Sequence, residues 1–507
     1  MKKIFPVLYV LISACYFNAA FGQAVATVNR PIDSATWAKQ TIQFTTRVIK
    51  IHSNLKALPG MYFLRGKAHA DLKQYQDAIQ DLSSAILTNP QLLDAYWERG
   101  LCYEKTKNYQ CALNDYKKAL SFVKDNPMQV AVLNTNIAIV NRHLKHIEQA
   151  IKSDSIAIAA EPGYTAAYTN RAELYMVTGK YQLAIEDLTT TLNSKNTKQF
   201  FSMILSNRAD AKRMLKKYKD AINDYSYAIE LAPGNKLAYW NRAAAYNKNG
   251  DYQLANDDYS KAIIFYKGDN KNLSRLYDDR ALMEMGLQQY KKAIADDSLA
   301  ISLDNQFAAA YWNKANAHAQ NGDYQLGIDG YTKTINFYQK ENRALAQLYN
   351  DIASEEYFLN EYQKVIDAGT SAILLDDQSW SPYLNRGRAY LKNNNKGLAL
   401  NDFNKILTLD TTKQSFEYAY ALFYTGSAEK AIAVMQSSLL TTTNGSLLMT
   451  HYYNLACLFS LMNRPDEANS YLKKCMDGGY SKKYALADSD LDNIRNTPEF
   501  KDMIGGK

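Results

Sequence analysis

The chain has 507 residues, 47% of them hydrophobic, with a formal net charge of +8. That length exceeds one compact domain and that hydrophobicity excludes wholesale disorder, which leaves several domains in series or one long repeat array. Lys and Arg are dispersed rather than gathered into the basic stripe that nucleic-acid binding needs, and 39 tyrosines against 10 prolines favour helices over a strand-and-turn fold.

Lys2 and Lys3 precede an apolar run from Ile4 to Ala14, and Ala20 and Gly22 supply small residues three and one before a cut. This pattern predicts a secretory signal over residues 1–22. Ile12-Ser13-Ala14-Cys15 admits a second reading, a bacterial lipoprotein box with Cys15 lipidated, although Tyr16 and Phe17 prolong the apolar run. Either reading places the mature protein in the periplasm or at the cell envelope. No other stretch approaches the roughly 18 apolar residues of a membrane helix, so no transmembrane segment is expected after cleavage. Residues 23–58 follow as an N-terminal capping region, with one helix over 34–58 carrying Trp37, Ile42, Val48 and Ile49.

From residue 59 one unit recurs. Tyr96-Trp97-Glu98-Arg99-Gly100 matches Tyr239-Trp240-Asn241-Arg242-Ala243 and Tyr311-Trp312-Asn313-Lys314-Ala315. The small residue closing each copy falls at 100, 172, 243, 315 and 387, and an interleaved set falls at 66, 138, 209, 281 and 353. Within a pair the offset is 34 residues, and between pairs it is usually 38. Tyr239, Arg242, Ala243 and Tyr246 share one helical face, Gly250 is a stop, and Ala255, Tyr259 and Ala262 mark a second helix. The small slots let two helix backbones approach closely. The extra four residues between pairs amount to about one helical turn.

The opening aromatic, the small residue four later, the Ala of the second helix and the closing Pro of Asn89-Pro90, Glu161-Pro162 and Ala232-Pro233 resemble the tetratricopeptide repeat. The resemblance covers residues 59–477. It implies an all-α, right-handed superhelical solenoid of about twelve helical hairpins, arranged as roughly six 72-residue double repeats. Residues 478–507, with Leu491, Ile494 and Phe500, resemble the tail that follows the terminal repeats in many bacterial proteins of this type, and are expected to form C-terminal capping helices over the last hairpin.

Two recurring slots carry polar chemistry. Arg65, Arg99, Arg171, Arg208, Arg242, Arg280 and Arg386 stand one residue before the small slot. Sixteen residues after each stands an acid: Asp81, Asp115, Asp187, Asp224, Asp258, Asp296 and Asp402. Where the Arg is missing the Asp is missing too, as in Ile137 with Ser153 and Ile352 with Ala368, so the two slots are expected to form structural ion pairs between helices. An exposed basic ladder for acidic partners is the alternative. Two residues before the small slot stand Asn136, Asn170, Asn207, Asn241, Asn313, Asn385 and Asn454, and one residue earlier some units carry a large aromatic, as at Trp97, Trp240 and Trp312. An amide can both donate to and accept from a peptide backbone. The row resembles the asparagine-lined superhelix of the O-linked N-acetylglucosamine transferases in this respect only. It implies a groove that holds extended polypeptide through Asn amides, with the Trp rings as apolar anchors, against the plainer reading of solvated asparagines.

The chain has no Gly-rich phosphate loop, Gly-x-Ser-x-Gly elbow or His-Glu-x-x-His helix. His143 and His146 lie one turn apart with no third ligand in motif spacing, so neither a metal nor another cofactor is expected. Cys102 and Cys111 flank a predicted turn and either bridge or remain separate thiols. The paired acids Asp257-Asp258 and Asp296-Asp297 recur inside second helices, with Asp258 and Asp296 at one register, which suits a structural slot. The expected function is a non-catalytic scaffold for other proteins or peptides. The alternative is an enzyme, or an enzyme's regulatory subunit, without a recognisable motif.

Overall fold

The structure is a computed structural model that describes residues 34–51, 58–194, 197–442 and 445–505; the leader and Cys15 lie outside them. The described residues are helical throughout, with no strand among them. Packing divides the chain into two compact units, one ending at Leu231 and one beginning at Ala232.

The first unit opens with the helix Ser34–Ile51. Five hairpins follow: Leu58–Asp71 with Tyr75–Thr88, Leu93–Lys105 with Tyr109–Leu120, Pro127–His143 with Ile147–Ala160, Thr165–Val177 with Tyr181–Leu192, and Lys198–Met214 with Tyr218–Leu231. The second unit holds seven more. Hairpins 6 to 9 are Lys236–Asn249 with Tyr252–Phe265, Asn270–Gly286 with Tyr290–Leu303, Ala308–Gln320 with Tyr324–Ile335, and Asn342–Phe358 with Tyr362–Leu375. Hairpins 10 to 12 are Ser381–Lys392 with Lys396–Leu409, Phe416–Tyr424 with Ala428–Thr441, and Gly445–Leu461 with Pro465–Asp477. The tail then forms Lys482–Ala487, a 3-10 turn Ser489–Leu491, and Pro498–Gly505.

The extra turn between pairs has a definite place. First helices of hairpins 3, 5, 7 and 9 run 17 residues. Those of hairpins 2, 4, 6, 8 and 10 run 12 to 14. The added residues all precede the small slot, so each long helix gains one turn at its N-terminus and the apolar register beyond is unchanged. Every hairpin closes on a left-handed residue seven positions after its small slot. Only Gly179, Gly250, Gly322 and Gly426 are glycines there; Lys73, Lys107, Lys145, Lys216, Gln288, Asn360, Asn394 and Asn463 adopt the same conformation. The next amide closes the helix, as when Asn108 N–H donates to the Tyr103 carbonyl, so the hydrogen bonds of the helix end compensate the backbone strain.

Successive first helices also pack on one another within each unit, for instance Pro127–His143 on Thr165–Val177 and Asn342–Phe358 on Ser381–Lys392. First helices therefore line the inner side of each unit. Inside a hairpin the small slots meet: Ala243 and Ala255 are both fully buried. In hairpin 2 the slot is Gly100, and a Cβ there would sit 2.6 Å from the Tyr116 ring. That ring crosses the glycine so that its hydroxyl donates to Glu104. In hairpins 5 and 8, where the slot is Ala, the equivalent hydroxyls of Tyr225 and Tyr331 donate instead to Asp210 and Asn316. Gly100→Ala would force Tyr116 toward that other orientation, where Leu101 offers no side-chain acceptor. A loss of about 1–3 kcal/mol is expected in urea unfolding of the full chain.

Candidate functional site

Seven Arg–Asp pairs tie the two helices of their hairpins together: Arg65–Asp81, Arg99–Asp115, Arg171–Asp187, Arg208–Asp224, Arg242–Asp258, Arg280–Asp296 and Arg386–Asp402, each at 2.6–2.7 Å. The Asp side chains are 4–8% exposed and the Arg side chains 14–21%. Both Nε and Nη2 donate to the carboxylate, the planar fork that suits Arg and not Lys. In Arg65, Arg99, Arg171, Arg208, Arg280 and Arg386 the remaining Nη1 reaches a hydroxyl on the preceding element: Thr46, Ser83, Ser155, Thr189, Ser260 and Thr370 in turn. Tyrosines one turn to either side flank the guanidinium, as Tyr96 and Tyr103 flank Arg99. Each of these six Arg thus joins the two helices of its own hairpin to the preceding element.

The asparagine and tryptophan rows form a second set of joints, of two alternating kinds. At even hairpins the amide reaches back. Asn170 Nδ2 donates to Asp154 at 2.6 Å, Asn313 to Asp278 at 2.9 Å, and Asn385 to Asn350 and Ser354. At the same even hairpins the indole reaches forward. Trp240 Nε1 donates to Asp279 at 2.8 Å and Trp312 Nε1 to Asp351 at 3.0 Å, each 39 residues on. Burial pushes both acceptor carboxyls up to about 6. Trp97 stands 39 residues before Asn136, and its buried indole N–H finds no acceptor among the described residues. Asn136, Asn207 and Asn241 are half-buried on first helices. A ligand at Asn170, Asn313, Asn385, Trp240 or Trp312 would compete with joints that already use those donors.

Two core positions carry carboxyls that the motif did not reveal. Asp154 and Asp297 occupy the slot filled elsewhere by Leu82, Tyr116, Leu188, Tyr225, Tyr259, Tyr331 and Phe403, and both are 0% exposed. Burial pushes Asp154 up to about 8, partly offset by Asn170. Asp297 goes up to about 9 through burial and the nearby Asp278 and Asp296 carboxyls, with Lys314 opposing. Their sequence signal is an acid where the other copies show a large apolar residue.

On the inner side of the first unit a trough of about 320 Å³ runs between hairpins 3, 4 and 5. Ile139 and Phe200 give it apolar surface, Thr165 and Thr169 hydroxyls, and Arg142 and Glu173 one charge of each sign, paired with one another. On the inner side of the second unit, the tail lies across the first helices. Tyr480 stacks on Tyr453, Tyr484 packs on Phe358 at 4.3 Å, and Asp490 meets Arg388 at 2.6 Å. A cavity of about 220 Å³ remains beneath it, lined by Asn350, Ser354, Arg388, Tyr420 and Asn454 among others. The tail also caps the last hairpins, where Leu491, Ile494 and Phe500 join their core. Its course back along hairpins 7 to 10 has no counterpart in the repeat pattern.

His143 stacks on the Tyr109 ring at 4.5 Å. Cys102 is buried and Cys111 exposed, both as free thiols. No helix among the described residues is long and apolar enough to cross a membrane.

Tetratricopeptide repeat family models match residues 63–127 and 207–270, and again 381–413 and 452–477. Human tetratricopeptide repeat protein 6 is 28% identical over 206 residues, which are 39% of this chain and 37% of that protein. A Dictyostelium discoideum homologue of DnaJ homolog subfamily C member 7 is 25% identical over 241 residues, 47% of this chain and 40% of that one. The chain thus spans less than half the length of either relative. Among solved structures, the C-terminal part of a TPR repeat-containing protein from Cytophaga hutchinsonii aligns with a TM-score of 0.43 at 18% identity, over 50% of this chain and 98% of that one. Yeast Tom70 aligns with a TM-score of 0.36 at 16% identity, over 93% and 96%. With the matched repeats and the twelve hairpins of one register together, the chain is a tetratricopeptide repeat protein, built on a scaffold for protein interaction.

Proposed function

We propose that this protein is a non-catalytic, exported scaffold of the periplasm or cell envelope, and that it holds extended polypeptide segments against the inner side of its first unit. The trough between hairpins 3 and 5 carries the reading. It combines an aromatic ring, two hydroxyls and a pair of opposite charges along first helices, the chemistry that receives a backbone with mixed side chains. The N-terminal charge, apolar run and small residues support export.

The test uses Ala166→Arg, an exposed helical position on the trough wall. The wild-type chain is expected to retain a reduced, carboxymethylated polypeptide and a defined envelope partner. Ala166→Arg is expected to lose both by tenfold or more with an unchanged thermal melt. Equal retention by the variant would remove the trough from the account. Mass analysis of the mature N-terminus checks export: a start at Gln23 supports cleavage after Gly22, and an acylated Cys15 supports the lipid anchor.

A further inference from the structure

The tail divides at Asp490. Beyond it, Leu491, Ile494 and Phe500 are core residues of the last hairpins. Before it, residues 480–490 leave hairpin 12 through Gly478-Gly479, with Gly479 at φ +86°, and lie on the inner side of the second unit as a strap. One strap residue, Ala485, is buried with the core of the last hairpins, and Tyr480 and Tyr484 pack against it; the other strap contacts run through individual side chains. Lys483 Nζ approaches Asp323 at 3.9 Å, Tyr484 packs on Phe358, and Ser489 Oγ is 3.4 Å from the Tyr357 hydroxyl.

Its acidic end is the anchor. Arg388 Nη2 donates to Asp490 at 2.6 Å and stands 3.6 Å from Asp488, while Tyr453 donates to Asp488 at 2.9 Å. The guanidinium lies over the Tyr357 ring at 4.1 Å, and its Nε finds no acceptor among the described residues. A cation held among rings, with one donor still unsatisfied beside a cavity of about 220 Å³, has more binding capacity than the strap uses.

We propose that residues 480–490 are a built-in ligand that closes the inner side of the second unit, and that an acidic, tyrosine-bearing segment of another polypeptide replaces them there. The chemistry of the occupant names the chemistry of the partner: two carboxylates separated by one residue for Arg388 and Tyr453, and an aromatic ring for Phe358 or Tyr453. Being tethered at both ends, the strap competes as an intramolecular ligand, so only a partner that matches these contacts displaces it. The proposal rests on reading the array as a polypeptide-binding scaffold but uses a different surface from the trough.

The probe is a fluorescent synthetic peptide with the sequence of residues 478–492, titrated against the full chain. Asp488→Asn with Asp490→Asn loosens the strap and is expected to tighten peptide binding at least tenfold over wild type. Adding Arg388→Gln to that variant is expected to abolish the gain. Ala166→Arg should leave this titration unchanged, which separates failure here from failure of the trough. No gain on loosening, or a gain that survives Arg388→Gln, overturns the proposal. If the loosened variant does not fold, hydrogen exchange on the wild-type chain decides. Amides of 480–490 that exchange well before those of hairpins 9 to 12 support a displaceable strap, and equally slow exchange overturns it.

Discussion

Arg171→Leu is expected to destabilise the full chain by about 3–5 kcal/mol, because it leaves the buried Asp187 carboxylate without its cation. Ser155 loses its donor as well, which loosens the junction with hairpin 3. Replacing both partners, Arg171→Ile with Asp187→Ala, copies the pair that hairpin 9 already carries in Ile352 and Ala368 and should cost much less than the single change. Urea unfolding of the four members of this double-mutant cycle measures the coupling, and additive losses would show that the two side chains do not interact. Arg208 is a poorer choice for the same experiment. Lys212 Nζ also stands 2.7 Å from Asp224 and would partly neutralise it once Arg208 is gone.

Asp297 is expected to make the second unit less stable as pH rises. Its carboxyl is held up at about 9 in the folded chain, against about 4 when unfolded. Between those values the folded state keeps a proton that the unfolded state has released, so stability falls with rising pH, by roughly 1.4 kcal/mol per pH unit. The loss begins near pH 4 and is complete above pH 9. Asp278 and Asp296 resist ionisation of this group and Lys314 favours it. Asp297→Asn removes the titration and should be more stable than wild type at pH 8 by several kcal/mol. Thermal melts across pH 5–9, with hydrogen exchange in Tyr290–Leu303 as the local readout, check this. A wild-type profile parallel to that of the Asn variant would show that Asp297 ionises as an ordinary surface carboxyl does.

The repeat architecture was legible because it depends on local patterns. The 34-residue offset, the small slots and the joint loss of Arg and Asp are each visible within one hairpin's length. The left-handed turn residues were not, since Lys107 or Asn360 adopts that conformation under hydrogen-bond compulsion and carries no sequence mark such as Gly250 does. The asparagine row was legible as a row, but its partners are not in the row. Asn313 bonds to Asp278 and Asn385 to Asn350, at an offset of 35 residues that links different register positions on neighbouring hairpins. The strap was out of reach for another reason. Gln288 and the Gly478 carbonyl it donates to lie 190 residues apart, and no periodicity relates them.

The alternation of joints also governs how such a chain changes length over evolutionary time. Trp240 hands its indole proton to Asp279, and Trp312 hands its own to Asp351. Removal of hairpins 7 and 8 together would bring Trp240 against Asp351 and restore the same bond between the same residue types. Removal of hairpin 7 alone would set Trp240 against Asn313 and leave Asp351 to Trp312 as before, with one indole facing an acceptor built for another register. Growth and loss by duplication are therefore quantised in pairs: a descendant of this chain can be one double repeat longer or shorter and still fit together, whereas an odd hairpin count at this point needs compensating changes at both seams.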